Sequence, residues 1–413
     1  MPVDTALPSV FEAGLPTLDY AFTATPADVS TALRDAQGRA ELAIGPVGPE
    51  ILSYERARAV LRDDQFGIPP GISLIVQGVT SGPLYDKVMR TLLCMEGEEH
   101  QRLRKLVSKA FTPRATARLH DTIVDVVNDL VDGIADAGHC DVVTDIARPY
   151  PIPIICALLG APREDWQLFS VWAEHIIGAF SLNADLATDE ATVLRAWAEL
   201  DAYVDDMIER RRHQLTDDLL SALIRAEDDG DRLNAEELRM LAAGLLMAGT
   251  DTTRNQLAAS IQVMCEHPDQ WRALAADPSL AMRAVEETMR HSPAACFAPR
   301  IAKRDAECGG YTIPAGTFTM VNTFAANRDP AVYSEPDRFD IGRESAPAIL
   351  TFGGGVHYCL GANLARLELA EALAILARRL PDLQRAGAAP WKPILGMTGP
   401  TSLPVEFGAA VHA

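Results

Sequence analysis

Residues 235–266, AEELRMLAAGLLMAGTDTTRNQLAASIQVMCE, constrain this chain more than any other stretch. Apolar residues recur there at helical spacing, and Asn234 stands in front as an N-cap. Polar residues interrupt the run too often for it to cross a membrane. Its middle, AGTDTT at 248–253, is poor chemistry for a helix. Gly249 weakens a helix by roughly 1 kcal/mol relative to alanine. Thr250, Thr252 and Thr253 can bond back to earlier carbonyls and bend it. A solvent-facing polar turn is one reading. The flanks LAAGLLMA and LAASIQVM are almost wholly apolar, however, so the polar turn sits in a buried helix and its groups need partners. A functional kink that holds water and protons answers that demand.

A second stretch, TFGGGVHYCLGANLAR at 351–366, sets one cysteine among glycines that suit neither helix nor strand. Cys359 could be an ordinary buried thiol packing as a small hydrophobe. It could share zinc with His357, but structural zinc takes four ligands and no second Cys/His pair is near. The glycines could hold a nucleotide, but Tyr358 stands where G-x-G-x-x-G needs its third glycine. What remains is a thiolate ligand to a cofactor that crowds the backbone. A third cluster, EETMR at 286–290, places Glu287 and Arg290 on one helix face. Such a pair matters only if it is buried and joined by a third charge.

The rest of the chain bounds the class. A net charge of −20 argues against nucleic-acid binding. Seven scattered cysteines without a C-x-x-C pair read as a reducing compartment rather than a disulfide framework. The N-terminus carries acids and prolines and no apolar run of signal or anchor length, so a soluble, cytoplasmic protein without a membrane segment is expected. Residues 40–54 read as two short strands around Gly-Pro turns, and 307–321 as a hairpin turning at Gly309-Gly310. Helical patterns cover 99–110, 114–137, 141–159, 163–181, 189–213, 216–226 and about 361–379. Residues 67–94 form a long apolar loop, which is a functional signal. No repeat or linker divides the chain, and one mainly α unit with small β-sheets over 1–413 is expected.

Together these stretches resemble the soluble bacterial cytochromes P-450, the haem-thiolate monooxygenases, from the first strand region to the C-terminus. FGGGVHYCLG (352–361) is similar to the family's haem loop, and AGTDTT to its oxygen-activation motif. EETMR carries its Glu-x-x-Arg, and EPDRF (335–339) offers Arg338 as the third charge. HQRLR gives His100 and Arg104, and PRIA gives Arg300. The chain departs from the family at Glu96-Gly97, where Asp-Pro usually precedes the His100 motif.

The resemblance implies haem b between the long central helix and the cysteine loop with the last helix. Cys359 is then the iron ligand, its thiolate favouring O–O cleavage. Gly353, Gly354, Gly355 and Gly361 let the backbone approach and take positive φ, and Phe352 shields the sulfur. His100, Arg104, Arg300 and His357 would pair with the propionates, while Asp251 and Thr252 would deliver protons to dioxygen. Glu287, Arg290 and Arg338 would be structural. A basic island from Gln101 to His120 (Arg102, Arg104, Lys105, Lys109, Arg114, Arg118) would dock an acidic ferredoxin. No flavin or NAD(P)H module is fused, so electrons would come through a separate ferredoxin and an NAD(P)H-dependent ferredoxin reductase.

The expected substrate is a bulky hydrophobic small molecule. It would be lined by Ile72, Leu74, Ile75, Val76, Val79, Leu84, Ile177, Phe180, Leu245, Leu246, Ala248, Ala294, Ala295, Phe297, Ala298 and Leu403, with no prominent charge. An O2-dependent monooxygenase is the leading reading. A peroxide-dependent haem-thiolate enzyme and a non-catalytic haem-binding protein are the alternatives.

Overall fold

The structure, a computed structural model, describes residues 7–182, 184, 186–228, 233–344 and 346–411. The strands expected at 40–54 form a hairpin, Leu42–Gly45 against Gly48–Ile51, in register Leu42↔Ile51. Strand Gly48–Ile51 then pairs in parallel with Phe318–Asn322, which pairs antiparallel with Phe297–Ala302. Phe66–Gly67 closes that five-stranded sheet at its far edge. Strand Phe297–Ala302 was not foreseen in the sequence, and it is the strand that carries Arg300. A second hairpin, Ala306–Cys308 with Tyr311–Ile313, turns at Gly309 and Gly310, both at positive φ, as Gly-Gly there requires. His139–Asp141, Pro404–Glu406 and Gln384–Arg385 make a small third sheet.

Helices make up most of what remains. One large buried apolar cluster runs from Ile72 to Phe407. Its axis is the pair Ala235–Ala248 and Asp251–Cys265, packed against the last helix, Ala362–Arg379. Asn234 does cap the first of these: its side chain accepts from the Glu237 N–H at 2.9 Å, and Glu237 returns the bond to the Asn234 N–H.

Two expected helices are broken. The pattern at 141–159 divides into a π-helix, Val142–Ala147, and an α-helix, Pro151–Leu159, because Pro149, Pro151 and Pro153 cannot donate to a continuous ladder. That stretch has the length and composition of a membrane span, yet 56% of it is buried inside the fold. The pattern at 114–137 becomes Pro113–Thr116, a single 3-10 turn, and His120–Ile134.

Candidate functional site

The cysteine loop is shaped by two glycines. Gly353 and Gly355 have φ of +72° and +65°, a region L side chains rarely adopt. A Cβ on Gly355 would lie 2.5 Å from the Leu61 carbonyl oxygen, so the loop packs backbone to backbone on the Tyr54–Val60 helix end. Gly354 and Gly361 do not take the expected positive φ, although a Cβ on Gly354 would still crowd Leu61 Cβ at 3.0 Å. Their φ values, −165° and −82°, are open to any residue, and Gly361 serves instead as the residue before the last helix.

Cys359 closes the loop, its N–H donating to the Phe352 carbonyl at 2.9 Å. It is the one exposed residue among the seven cysteines; five are buried and Cys265 is intermediate. Protein nonetheless surrounds the sulfur. Burial pushes its pKa up, while the Gly361 N–H and the charges of Arg104 and Arg366 pull it down. Phe352 is buried beside it, with the Arg366 guanidinium 4.4 Å above its ring.

The four predicted propionate partners come from three segments, with Arg300 on strand Phe297–Ala302 and His357 in the cysteine loop. His100 and Arg104 lie on helix Gly97–Ser108, one turn apart. The His100 and His357 rings stack with centroids 4.4 Å apart. Burial holds both imidazoles below their ordinary pKa, His357 down to about 4, so both are neutral near pH 7. His357 also meets Glu96 at 3.3 Å. Glu96 replaces the family's usual residue and is put to use: it accepts from the Ile68 N–H at 2.7 Å and sits 3.5 Å from Lys303 Nζ. Gly97 behind it takes φ +70°, so the helix starts from a left-handed turn.

Arg300 is 5% exposed and, among the described residues, donates only to the neighbouring Pro299 carbonyl. Burial lowers it to about 10. Arg104 donates to the Tyr358 carbonyl and is likewise lowered by burial. Neither guanidinium has a carboxylate within ion-pairing distance among the described residues. Two desolvated cations without counter-ions are costly alone. They suit a group that brings two carboxylates, and the Cys359 thiol suits its metal.

On the central helix, the break is real. The α-ladder stops at Ala248 and restarts at Asp251, with Thr250 N–H reaching back only to Met247 at 3.3 Å. The Thr250 hydroxyl donates to Met247 O and the Thr252 hydroxyl to Ala248 O, at 2.8 and 3.2 Å. Ala248 and Thr252, one turn apart, are exposed while Leu245, Leu246, Met247, Thr250, Asp251 and Thr253 are buried. Thr253 is therefore on another face from Thr252. Gly249 allows close approach, since a Cβ there would lie 3.0 Å from Ile155 Cγ1. Asp251 is ion-paired with Arg254 through Oδ1, and no hydrogen bond or ion pair reaches its Oδ2 among the described residues.

Several expectations need correction. Arg338 is not the third charge on Glu287: its side chain is 60% exposed and pairs with Glu335 and Asp340. Arg343 occupies that place, with Nε 3.3 Å from Glu287 Oε2. Arg338 contributes its carbonyl, which accepts from Arg290 and Arg343. The turn at Glu335, φ +47°, sends the Arg338 side chain outward and returns the chain so that Arg343 points in.

The basic island is also thinner than it reads. Arg102 is paired with Glu237, Arg118 with Asp217 at 3.3 Å, and Arg104 is turned inward. Lys105, Lys109 and Arg114 are the exposed members without an ion pair among the described residues. Of the expected apolar lining, Leu74, Leu84, Leu246 and Leu403 are fully buried in the core. Ile75, Val76, Val79, Ile177, Phe180, Ala295, Phe297 and Ala298 keep partial exposure.

The fold and this site together define a class, the haem-thiolate proteins, and comparison with known proteins makes it specific. The family model for cytochrome P450 matches residues 83–282 and 276–380. Luteothin monooxygenase of Streptomyces thioluteus is 37% identical over 96% of this chain and 97% of its own. Mycinamicin IV hydroxylase/epoxidase of Micromonospora griseorubida is 40% identical over 88% and 91%. Among solved structures, CalO2 superposes with a TM-score of 0.87 at 31% identity, covering 94% of this chain and all of that one. The chain belongs to the cytochrome P450 family, and is a monooxygenase whose cofactor is haem b.

Proposed function

We propose that the chain oxidises a bulky, largely apolar secondary metabolite, using dioxygen and electrons from a separate ferredoxin fed by an NAD(P)H-dependent reductase. The observation that carries the site assignment is the exposed Cys359 in its two-glycine cradle, near a buried Arg300 and a half-buried Arg104 that have no ion pair among the described residues. In this reading the Cys359 thiolate would hold the haem iron, Arg104 and Arg300 would bind the two propionates, and His100 and His357 would donate neutral N–H groups to them. Phe352 and the glycine loop keep water from the sulfur, and the Gly361 N–H stabilises its charge. Haem, when bound, supplies dioxygen activation and oxygen-atom insertion.

The chain's own groups then manage substrate and protons. Ile75, Val76, Ile177, Phe180, Ala295 and Phe297 hold the substrate by apolar contact and exclude water. Thr252, on the exposed face of the opened helix, places a hydroxyl and the water it binds toward the reacting oxygen. Asp251, one residue earlier and buried, moves protons to that water from outside through Oδ2, the oxygen that Arg254 does not hold. Relatives named for luteothin, mycinamicin IV and 6-deoxyerythronolide B support a macrolide- or polyketide-like substrate. Exposed Lys105, Lys109 and Arg114 on a chain of net charge −20 support an acidic electron donor. The one span-length apolar stretch among the described residues is 56% buried within the fold, which supports a soluble, cytoplasmic enzyme.

The test is Cys359→Ser in the reduced, carbon monoxide-treated protein. The red-shifted thiolate band is expected to vanish while the fold persists; its survival would sink the ligand assignment. Turnover with ferredoxin, reductase and NAD(P)H, and not with peroxide alone, is the expected reaction requirement.

A further inference from the structure

Asp251 does not face its own helix alone. Arg254, one turn on, carries the only guanidinium in contact with it among the described residues, and that guanidinium is shared. Arg254 Nη1 lies 3.3 Å from Glu174 Oε1, on helix Trp166–Gly178. The other oxygen of Glu174 binds Arg148 Nη2 at 2.9 Å, and Arg148 Nε donates to Ser170 at 3.0 Å. From the C-terminal loop, Lys392 Nζ donates to Asn255 Oδ1 at 2.7 Å, while Asn255 Nδ2 donates to the Asp251 carbonyl at 2.7 Å. The charged groups facing Asp251 are thus Arg254 from its own helix, Glu174 and Arg148 from the substrate-side segments, and Lys392 from the terminal loop.

The charges alternate: Arg148, Glu174, Arg254, Asp251, with Lys392 at the side. Arg254 is only 11% exposed, so its attraction for Asp251 is little screened. Undivided, such a guanidinium would grip a carboxylate with both nitrogens and occupy both oxygens. Here it does not. Nη1 is drawn to Glu174, Nη2 alone reaches Asp251, on Oδ1, and no hydrogen bond or ion pair reaches Asp251 Oδ2 among the described residues. A proton carrier needs such an oxygen, since a carboxylate saturated by a fixed cation has none to offer.

We propose that Glu174 is a positioning residue for proton delivery: by holding half of Arg254, it keeps one oxygen of Asp251 free to carry protons. The proposal rests on the reading of Asp251 as the proton carrier and extends it to the helix that also carries Ile177. Glu174 touches neither substrate nor cofactor. It acts through Arg254.

The experiment uses the haem-loaded enzyme with its redox partners. Glu174→Gln removes the competing charge and keeps the shape. Turnover is expected to fall about fivefold, the factor that roughly 1 kcal/mol gives, and the solvent deuterium isotope effect on turnover to rise. Haem content and substrate affinity are expected to stay unchanged. Glu174→Asp keeps the charge and is expected to recover most of the loss. Glu174→Gln/Arg254→Ala, which removes the grip as well, is expected to turn over faster than Glu174→Gln alone. A crystal structure of Glu174→Gln is expected to show both Arg254 nitrogens on Asp251. An unchanged isotope effect in Glu174→Gln, strictly additive losses in the double variant, or an unmoved Arg254 would each overturn the proposal. Asp251→Asn separates the two levels: if it turns over normally, the proton-carrier reading falls and this inference with it. If Asp251→Asn is slow and Glu174→Gln is not, only the inference falls.

Discussion

Replacing Arg343 should cost several times more stability than replacing Arg338, although sequence favours Arg338 as the partner of Glu287. Glu287 and Arg290 are 4% and 1% exposed and joined by two parallel bonds, at 2.7 and 2.8 Å. Arg343 Nε adds a third contact at 3.3 Å, and its other nitrogens donate to the carbonyls of Ser334 at 2.6 Å and Arg338 at 2.9 Å. Its side chain is 14% exposed. Bonds from a charged donor contribute about 1.5–3 kcal/mol each, and losing one member of a buried ionic cluster costs about 3–5 kcal/mol. Glu287 would keep Arg290 and the Asp340 N–H at 2.8 Å, so the cost falls to the bottom of that range or just under it, about 2–3 kcal/mol. Arg338, 60% exposed, makes pairs worth about 0–1 kcal/mol, and Arg338→Ala keeps the carbonyl that the cluster uses.

The assay is urea unfolding of haem-loaded protein, followed by the haem band and by far-ultraviolet circular dichroism. With an m-value of about 4 kcal/mol/M for a chain of this size, Arg343→Ala lowers the midpoint by roughly 0.6 M and Arg338→Ala by about 0.2 M or less. Equal shifts, or a larger one for Arg338→Ala, would refute the argument that burial and not motif position selects the third charge.

Thr252→Ala should still take up electrons but divert them, raising hydrogen peroxide per NAD(P)H at the expense of product; Thr253, buried on another face, should not substitute for it, and unchanged coupling in Thr252→Ala would contradict the placement. Lys105→Glu with Lys109→Glu should slow reduction by ferredoxin at low salt and leave haem content intact, whereas equal rates at low ionic strength would remove the docking face. Glu50 is fully buried, accepting from Tyr20 at 2.6 Å and Asn322 at 2.8 Å, and burial raises its pKa to about 7. A raised carboxyl binds its proton more tightly folded than unfolded, so the stability it contributes is present below about pH 4.5 and lost as pH rises through 7, by about 3 kcal/mol at most. Glu50→Gln should flatten the stability profile between pH 4.5 and 7, and an unaltered slope there would exclude Glu50 as its source.

What the sequence determined by itself was local. Asn234 with Glu237 marks a helix start, Gly309-Gly310 a tight hairpin, and AGTDTT an interrupted ladder, because each needs only neighbouring backbone and side chains. Cys359 was legible for the same reason: its glycine cradle is contiguous with it. The tertiary structure alone decided which distant groups share a charge. Nothing near Arg343 announces Glu287, 56 residues away, and nothing near Arg102 shows that Glu237 takes it off the exposed basic face. The apolar lining was misread at Leu74, Leu84, Leu246 and Leu403 because the same hydrophobicity serves a core and a pocket. Glu174 was invisible as part of the site, since its link to Asp251 runs through Arg254 across two helices. Periodicity and turn chemistry are written in short segments; ion pairing and burial belong to the packing of segments far apart in the chain.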